Sequence, residues 1–271
     1  MLNAQNFPLA GEWGVLPNLS DIETVIVSAT NDAFEYKIAL LCKENSVRFI
    51  QFIDAPYNIH KRSVMSPDIL CVVHEENVKE ASVSIERIHV TGHPRWEEAL
   101  SRPITQANPE TVIFTSQHIS QTSELSDLGY NEQDVWRLLC EAQKLAPDII
   151  KNLIYCPHPE QTDIPAKFCE NQRLIDVHEN PLEIGGTMIS MFSTIMVDGF
   201  LYGQKVISVQ PGLQKINRCY ISKQGFIPLI TSFEPRDIID ALISYKGLSA
   251  NSFKASLSGS LTRFENVCLQ M

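Results

Sequence analysis

Short apolar runs alternate with amphipathic segments along the chain, the pattern of strands buried on both faces and separated by helices. Glu23 to Ala29 (ETVIVSA), Val47 to Ile53 (VRFIQFI), Ile69 to Val73 (ILCVV) and Arg87 to Thr91 (RIHVT) read as strands. Ala33 to Asn45 keeps its apolar residues on one face and reads as a helix. Residues 58–67 read as a loop, and His74-Glu75-Glu76 as an acidic helix start. The polar stretch SRPITQANPE at 101–110, with two prolines, reads as a linker. A second alternation follows it. Thr111 to Thr115, Asn152 to Cys156, Arg173 to Val177, Val206 to Val209 and Phe226 to Leu229 read as strands. Glu132 to Leu145, Ile195 to Tyr202, Glu234 to Ser244 and Phe253 to Val267 read as helices, the last two closing the second half. Such alternation predicts an α/β protein with two Rossmann-like parallel-sheet domains facing a cleft, residues 1–100 and 101–271. The first has four strands and is abbreviated.

In open parallel sheets, ligands bind beyond the carboxyl ends of the strands. The residues found there are Thr30-Asn31, Asp54, Gly92-His93-Pro94-Arg95, His158, Ser193-Thr194 and Gln210-Pro211-Gly212. The stretch MFSTIMVDGFLYGQKVISVQPG (191–212) holds the most chemistry: a turn, a short helix, a buried strand and a second turn. Ser193 or Thr194 is placed to cap the helix, and Gly203 to end it. A helix start presents unpartnered N–H groups and partial positive charge, a seat for phosphate. Asp198 follows Thr194 by one helical turn on the same face, where its carboxylate could accept from sugar hydroxyls. The plain alternative is a capped helix packed on a sheet with a solvated Asp198, and locally that reading is the stronger.

Composition narrows the function. The 271 residues carry a formal charge of −10, which argues against a nucleic-acid partner, since that needs a basic footprint. The seven cysteines are scattered singly with no C-x-x-C pair, as expected of reduced structural thiols in a cytoplasmic protein. The opening stretch MLNAQNFPLAGEWGVL has no basic n-region and no sustained apolar core, so no secretion signal is expected. With no apolar run of spanning length, membrane contact would be peripheral. Histidines and cysteines show no metal-ligand spacing, so no metal and no cofactor is expected.

Four pieces, in one order, resemble bacterial glycosyltransferases and sugar epimerases of the GT-B fold. They are PDILCVVHE with RIHVTGHPRWE, VIFTSQHIS with LGYNEQDV, NLIYCPHPEQ, and MFSTIMVDGFLYGQKVISVQPG. The resemblance spans residues 24 to about 245. It implies a nucleotide-sugar donor held by the second domain, with His158, Ser193 and Thr194 at the diphosphate and Asp198 at the ribose. Gly92, His93 and Arg95 would lie near the domain crossover, and Asp54 would be the general base on an acceptor hydroxyl. The family usually has Glu where this chain has Asp198. Its epimerases carry Ser-Gly-Gly and paired glutamates, where this chain has Phe192-Ser193-Thr194 and one Asp198.

That departure favours a glycosyltransferase of surface-polysaccharide or glycoconjugate synthesis, acting on a saccharide or lipid-linked acceptor. A non-hydrolysing UDP-N-acetylglucosamine 2-epimerase-like isomerase and a non-catalytic binding or assembly module are the alternatives. Unpaired edges of the short first sheet would need covering, for which a second copy in a homo-oligomer would serve.

Overall fold

The structure, a computed structural model, describes residues 19–28, 33–54, 59–63, 65–81, 83–101, 108–165, 171–175, 179–212, 217–245 and 251–269. The turn at Thr30-Asn31, the middle of the 101–110 linker and the end of the strand expected at 173–177 lie outside these residues. Contacts divide the chain into two compact units, Met1–Pro94 with Leu257–Met271, and Arg95–Ser256. Each contains one parallel sheet, of four and six strands.

The first unit runs β1 (Thr24–Ser28), α1 (Ala33–Glu44), β2 (Arg48–Phe52), α2 (Ile59–Arg62), β3 (Ile69–Val72), α3 (Glu75–Val78) and β4 (Ile88–Val90). Helix α2 falls inside the segment expected to be a loop. Ile59 there is fully buried with Ile53, Leu70 and Val72, and that apolar anchor draws the turn onto the sheet. Helix α3 begins as its acidic start suggests: His74 Nδ1 accepts from the Glu76 N–H, and Asn77 Oδ1 accepts from the His74 N–H.

These strands lie side by side in chain order, β1-β2-β3-β4. Every crossover therefore runs in the same direction, and right-handed connections put its helices on one face. On that face Ile38 and Cys42 of α1 meet Val25 and Phe49. The opposite face is covered from the far end of the chain. Val267 and Cys268 of the C-terminal helix (Ser260–Leu269) pack against Ile50 and Cys71, with Phe264 beside them. Arg263 Nε donates to Thr91 O at 3.1 Å, and Arg48 Nη2 to Val267 O at 3.3 Å. The sequence places this helix with the second half and the boundary at 100/101; contacts place the helix in the first unit and the boundary at 94/95. Burial pushes the Cys71 thiol up to about 12, with nearby Cys268 adding to the shift, so both are structural here.

The second unit runs α4 (Pro94–Ala99), β5 (Thr111–Thr115), α5 (Glu132–Leu145), β6 (Asn152–Cys156), β7 (Gln172–Leu174), α6 (Pro181–Ile184), β8 (Thr187–Ser190), α7 (Ile195–Leu201), β9 (Lys205–Val209), α8 (Tyr220–Lys223), β10 (Leu229–Ile230), α9 (Pro235–Ser244) and α10 (Asn251–Leu257). Helix α5 forms because Asn131 caps it: its side chain accepts from the N–H groups of Gln133 and Asp134, while Asp134 accepts from the Asn131 N–H. Its buried stripe, Val135, Leu139 and Ala142, joins Ile238 and Ile239 of α9 over Phe114, Tyr155, Ile189 and Ile207. The other face holds Ile113, Ile154 and Ile175. Strand β8 is absent from the sequence expectations, and β10 is shorter than expected and shifted to Leu229–Ile230.

Strand order here is β10-β9-β8-β5-β6-β7, with β5 and β8 paired in parallel, Ile113 opposite Met188. The chain leaves β5 toward β6 on one side and β8 toward β9 on the other. The β5–β8 pair is thus a topological switch point, the place where open sheets of this kind leave a crevice.

Candidate functional site

The loops that leave the carboxyl ends of β5, β6, β8 and β9 are tied together by side chains. The Phe192 N–H, after β8, donates to Gln117 Oε1, after β5, at 2.9 Å. Ser190 Oγ donates to Thr115 O at 2.5 Å across the same pair. Gln210, after β9, donates to Ser208 Oγ and Asn217 Oδ1 and accepts from the Arg218 N–H, and Ser208 Oγ in turn donates to Met191 O. Tyr155 OH donates to Ser116 Oγ at 3.0 Å and accepts from Gln161 Nε2 at 2.8 Å, fixing the β6 loop to the β5 loop. A site on this edge is therefore held by buried hydrogen bonds rather than by long free loops.

Ser193 and Thr194 lie on the turn after β8, Ser193 half-buried and Thr194 exposed. Thr194 occupies the cap position but does not cap. Its φ of −63° and ψ of −26° are helical, and its side chain makes no cap hydrogen bond. Tight backbone bonds, Met196 N–H to Ser193 O and Val197 N–H to Thr194 O, close the first turn instead. Gly203 ends α7 at φ +79°, as expected. Arg218 stands over the Phe192 ring at 6.0 Å, placing a cation beside this turn.

His158 sits between Pro157 and Pro159 just past β6. Its ring lies 4.2 Å from that of His118, centroid to centroid, and His118 Nε2 lies 3.4 Å from Glu160 Oε2. His158 Nδ1 accepts from the Glu160 N–H at 3.2 Å, so a neutral ring carries its proton on Nε2. Burial, and then His118, lower the pKa of His158 below its ordinary value, against the opposing pull of Glu160. His118 and Glu160 are absent from the sequence expectations. The signal for His118 lies in position: it follows β5 by three residues, as His158 follows β6 by two, and β5 and β6 are paired with Thr115 opposite Cys156.

Arg95 and Asp198 are brought together, but with each other. Arg95 Nη2 donates to Asp198 Oδ2 at 3.2 Å, and Asp198 is 5% exposed. The carboxylate is therefore neither solvated nor open on both oxygens, because the helix carries it inward and the guanidinium reaches in to neutralise it.

Asp54, Gly92 and His93 belong to the first unit. Asp54 is half-buried just past β2. His93 is buried, edge-on to Phe52 at 5.4 Å. Gly92 has a φ of +77°, and a Cβ there would strike the side chains of Ser260 and Arg263. Close approach of the C-terminal helix accounts for this glycine. A cavity of about 490 Å³ opens at the other edge of the six-stranded sheet, lined in part by Gln143, Lys144, Lys151 and Gln172. It faces the amino ends of β6 and β7, away from the switch point, and carries none of the expected site residues.

No helix among the described residues is long and apolar enough to cross a membrane. No protein-family model matches the chain, and no curated protein matches it in sequence. Solved structures do match. The glycosyltransferase SnogD from Streptomyces nogalater superposes with a TM-score of 0.53 at 11% identity, over 91% of this chain and 73% of that one. A variant of the wall teichoic acid polymerase TagF gives 0.50 at 13% identity, over 90% and 69%. Anabaena HepE in complex with UDP gives 0.47 at 8% identity, over 90% and 74%. SnogD and TagF share their overall fold with this chain. The chain has the GT-B fold.

Proposed function

We propose that this protein is a nucleotide-sugar-dependent glycosyltransferase that holds its donor at the carboxyl edge of the six-stranded sheet. The observation that carries this reading is the β5–β8 switch point, where three braced loops present His158, Ser193 and Thr194 on one edge. The fold is shared with SnogD, a glycosyltransferase, and TagF, a wall teichoic acid polymerase, and this supports the class. Synthesis of a surface polysaccharide or glycoconjugate is the finer form of the proposal.

In this reading the diphosphate lies along the turn after β8. Ser193 and Thr194 hydroxyls and the Nε2–H of His158 donate to its oxygens, and Arg218 supplies positive charge from beside Phe192. Asp198 acts at the ribose through Arg95, whose largely exposed guanidinium it holds in place. Asp54 is the acceptor-side base. Rate enhancement comes mainly from positioning and from neutralising the departing nucleotide.

Calorimetry with UDP-, CMP- and GDP-sugars tests the proposal. One nucleotide class should bind the wild type, and Ser193→Ala combined with His158→Ala should weaken it by about tenfold or more, the loss of about 1.4 kcal/mol. Silence across the whole panel, or equal affinity in the double variant, would rule the site out.

A further inference from the structure

Two neutral-capable imidazoles and a carboxylate converge where the β5 and β6 loops meet, and ion pairing alone does not account for their spacing. We infer that His118, His158 and Glu160 form a binding site for a divalent metal of the zinc class. It shares His158 with the nucleotide-sugar reading but uses the other ring nitrogen, Nδ1, and does not depend on that reading. Each residue offers a ligand atom, and these atoms all lie within 4.8 Å of one another.

The distances favour a shared ion over a direct bond. A charge-assisted N–H···O contact closes to about 2.7–2.9 Å. His118 Nε2 and Glu160 Oε2 stand 3.4 Å apart. Two ligands about 2.1 Å from a tetrahedral ion lie about 3.4 Å from each other. His118 Nδ1 is buried with no hydrogen-bond partner among the described residues, so its ring makes its polar contact through Nε2. His158 Nδ1 already holds its lone pair toward the Glu160 turn, accepting the N–H at 3.2 Å, and a metal there replaces that long contact with a coordinate bond. His118 and Glu160 already stand at the spacing of two ligands, so the remaining closure is a small approach of the His158 ring.

The scaffold is rigid where a metal site needs it to be. Gln121 Nε2, just past His118, donates to Thr162 Oγ1 at 2.6 Å across the two loops, Gln133 of α5 donates to Asp163 O, and Gln161 closes the His158 loop on itself through Asp163 O. Prolines on both sides of His158 restrict its backbone further. Two imidazoles with one carboxylate select zinc, cobalt or nickel over magnesium or calcium, which take all-oxygen sets. Three protein ligands leave a tetrahedral ion one open position. That position faces solvent beside Glu160, where an anionic oxygen of a ligand would complete the set. Sequence spacing conceals the site because its histidines lie 40 positions apart, on loops that only strand pairing makes neighbours.

Metal-stripped full-length protein titrated with Co2+ provides the test, read by visible d–d absorption, with Zn2+ binding followed by equilibrium dialysis. A single equivalent should bind with a visible band, and Zn2+ should displace it. Loss of even an outer partner of a metal site costs about 10–100-fold, so His118→Ala should weaken binding by at least about 100-fold. Glu160→Gln, an exposed and nearly isosteric change, should weaken it by about tenfold. Circular dichroism on both variants separates loss of ligand from loss of fold. No band at millimolar Co2+, or unchanged affinity in folded His118→Ala, overturns the assignment.

Discussion

The two sheets of this molecule are built by the same rule and differ in one turn of the chain. In the first, strands lie in chain order and every crossover runs one way. Its sequential helices cover one face, and the C-terminal helix is brought back to cover the other. In the second, the chain returns to the middle and goes out again, so that β8 lies beside β5. Only that reversal opens strand ends to both sides at once. Polar residues gather accordingly. Gln117 and His118 follow β5, His158 follows β6, Ser193 follows β8 and Gln210 follows β9, all on one edge of the second sheet, while Gly92 and His93 in the first unit are closed in by the C-terminal helix and Phe52. A strand end becomes a site where topology leaves room, not merely where the residues are polar.

The largest blow to this contrast falls on the strand beside the reversal. Phe114 is fully buried in β5, stacked with Trp136 and edge-on to Tyr155. Phe114→Ala should lower stability by about 3–5 kcal/mol in urea unfolding and carry nucleotide binding away with it. A loss under about 1 kcal/mol would mean that this core relaxes freely and does not hold the edge in place.

Next comes Gly186, which enters β8 at φ +141° with its missing Cβ 2.7 Å from Thr111 O. That atom is backbone of the paired strand and cannot step aside. Gly186→Ala should cost about 1–3 kcal/mol and slacken the β5–β8 pair. Unchanged stability would show that the register at the switch point is soft.

Much of this architecture is legible in the chain itself, for a physical reason. Strands β5 and β6 and helix α5 lie at the bounds their apolar runs predict, because burial on both faces leaves an uninterrupted run and Asn131 marks the helix start. Strand β8 escapes notice: TMIS is four residues with polar ends, and it is buried only because β5 and β9 flank it. Contacts made by pairing are the least legible. Nothing near His158 announces His118, and nothing in Asp198 announces Arg95, 103 positions away. The single helix read over Phe253 to Val267 is broken at Gly259, φ +77°, and the C-terminal piece, Ser260–Leu269, packs on the first sheet. Its apolar face states that it must be buried, but not by which sheet.

The two strand ends named as ligand contacts in different units give a smaller and sharper test. His158→Ala should weaken donor binding by about tenfold, whereas Asp54→Asn should leave it within about twofold, since a base for the acceptor need not touch the donor. If Asp54→Asn weakens donor binding as much as His158→Ala, the division of labour between the sheets fails.

The smallest effects should be the same in both units, and that equality is informative. Lys79 pairs with Glu76 at 3.1 Å in the first unit, and Arg137 with Asp134 at 2.8 Å in the second, both one helical turn apart and both with the cation well exposed to water. Each pair gains little Coulomb energy at high dielectric and spends side-chain entropy to hold its geometry, so removing either cation should cost less than about 0.5 kcal/mol. Asp134 keeps its bond to the Asn131 N–H when Arg137 is gone, so the helix start survives. A double-mutant cycle returning more than about 1 kcal/mol for one pair alone would mean that the units differ in their surface electrostatics as well. Equal and near-zero couplings would leave strand order as the physical difference between the two sheets.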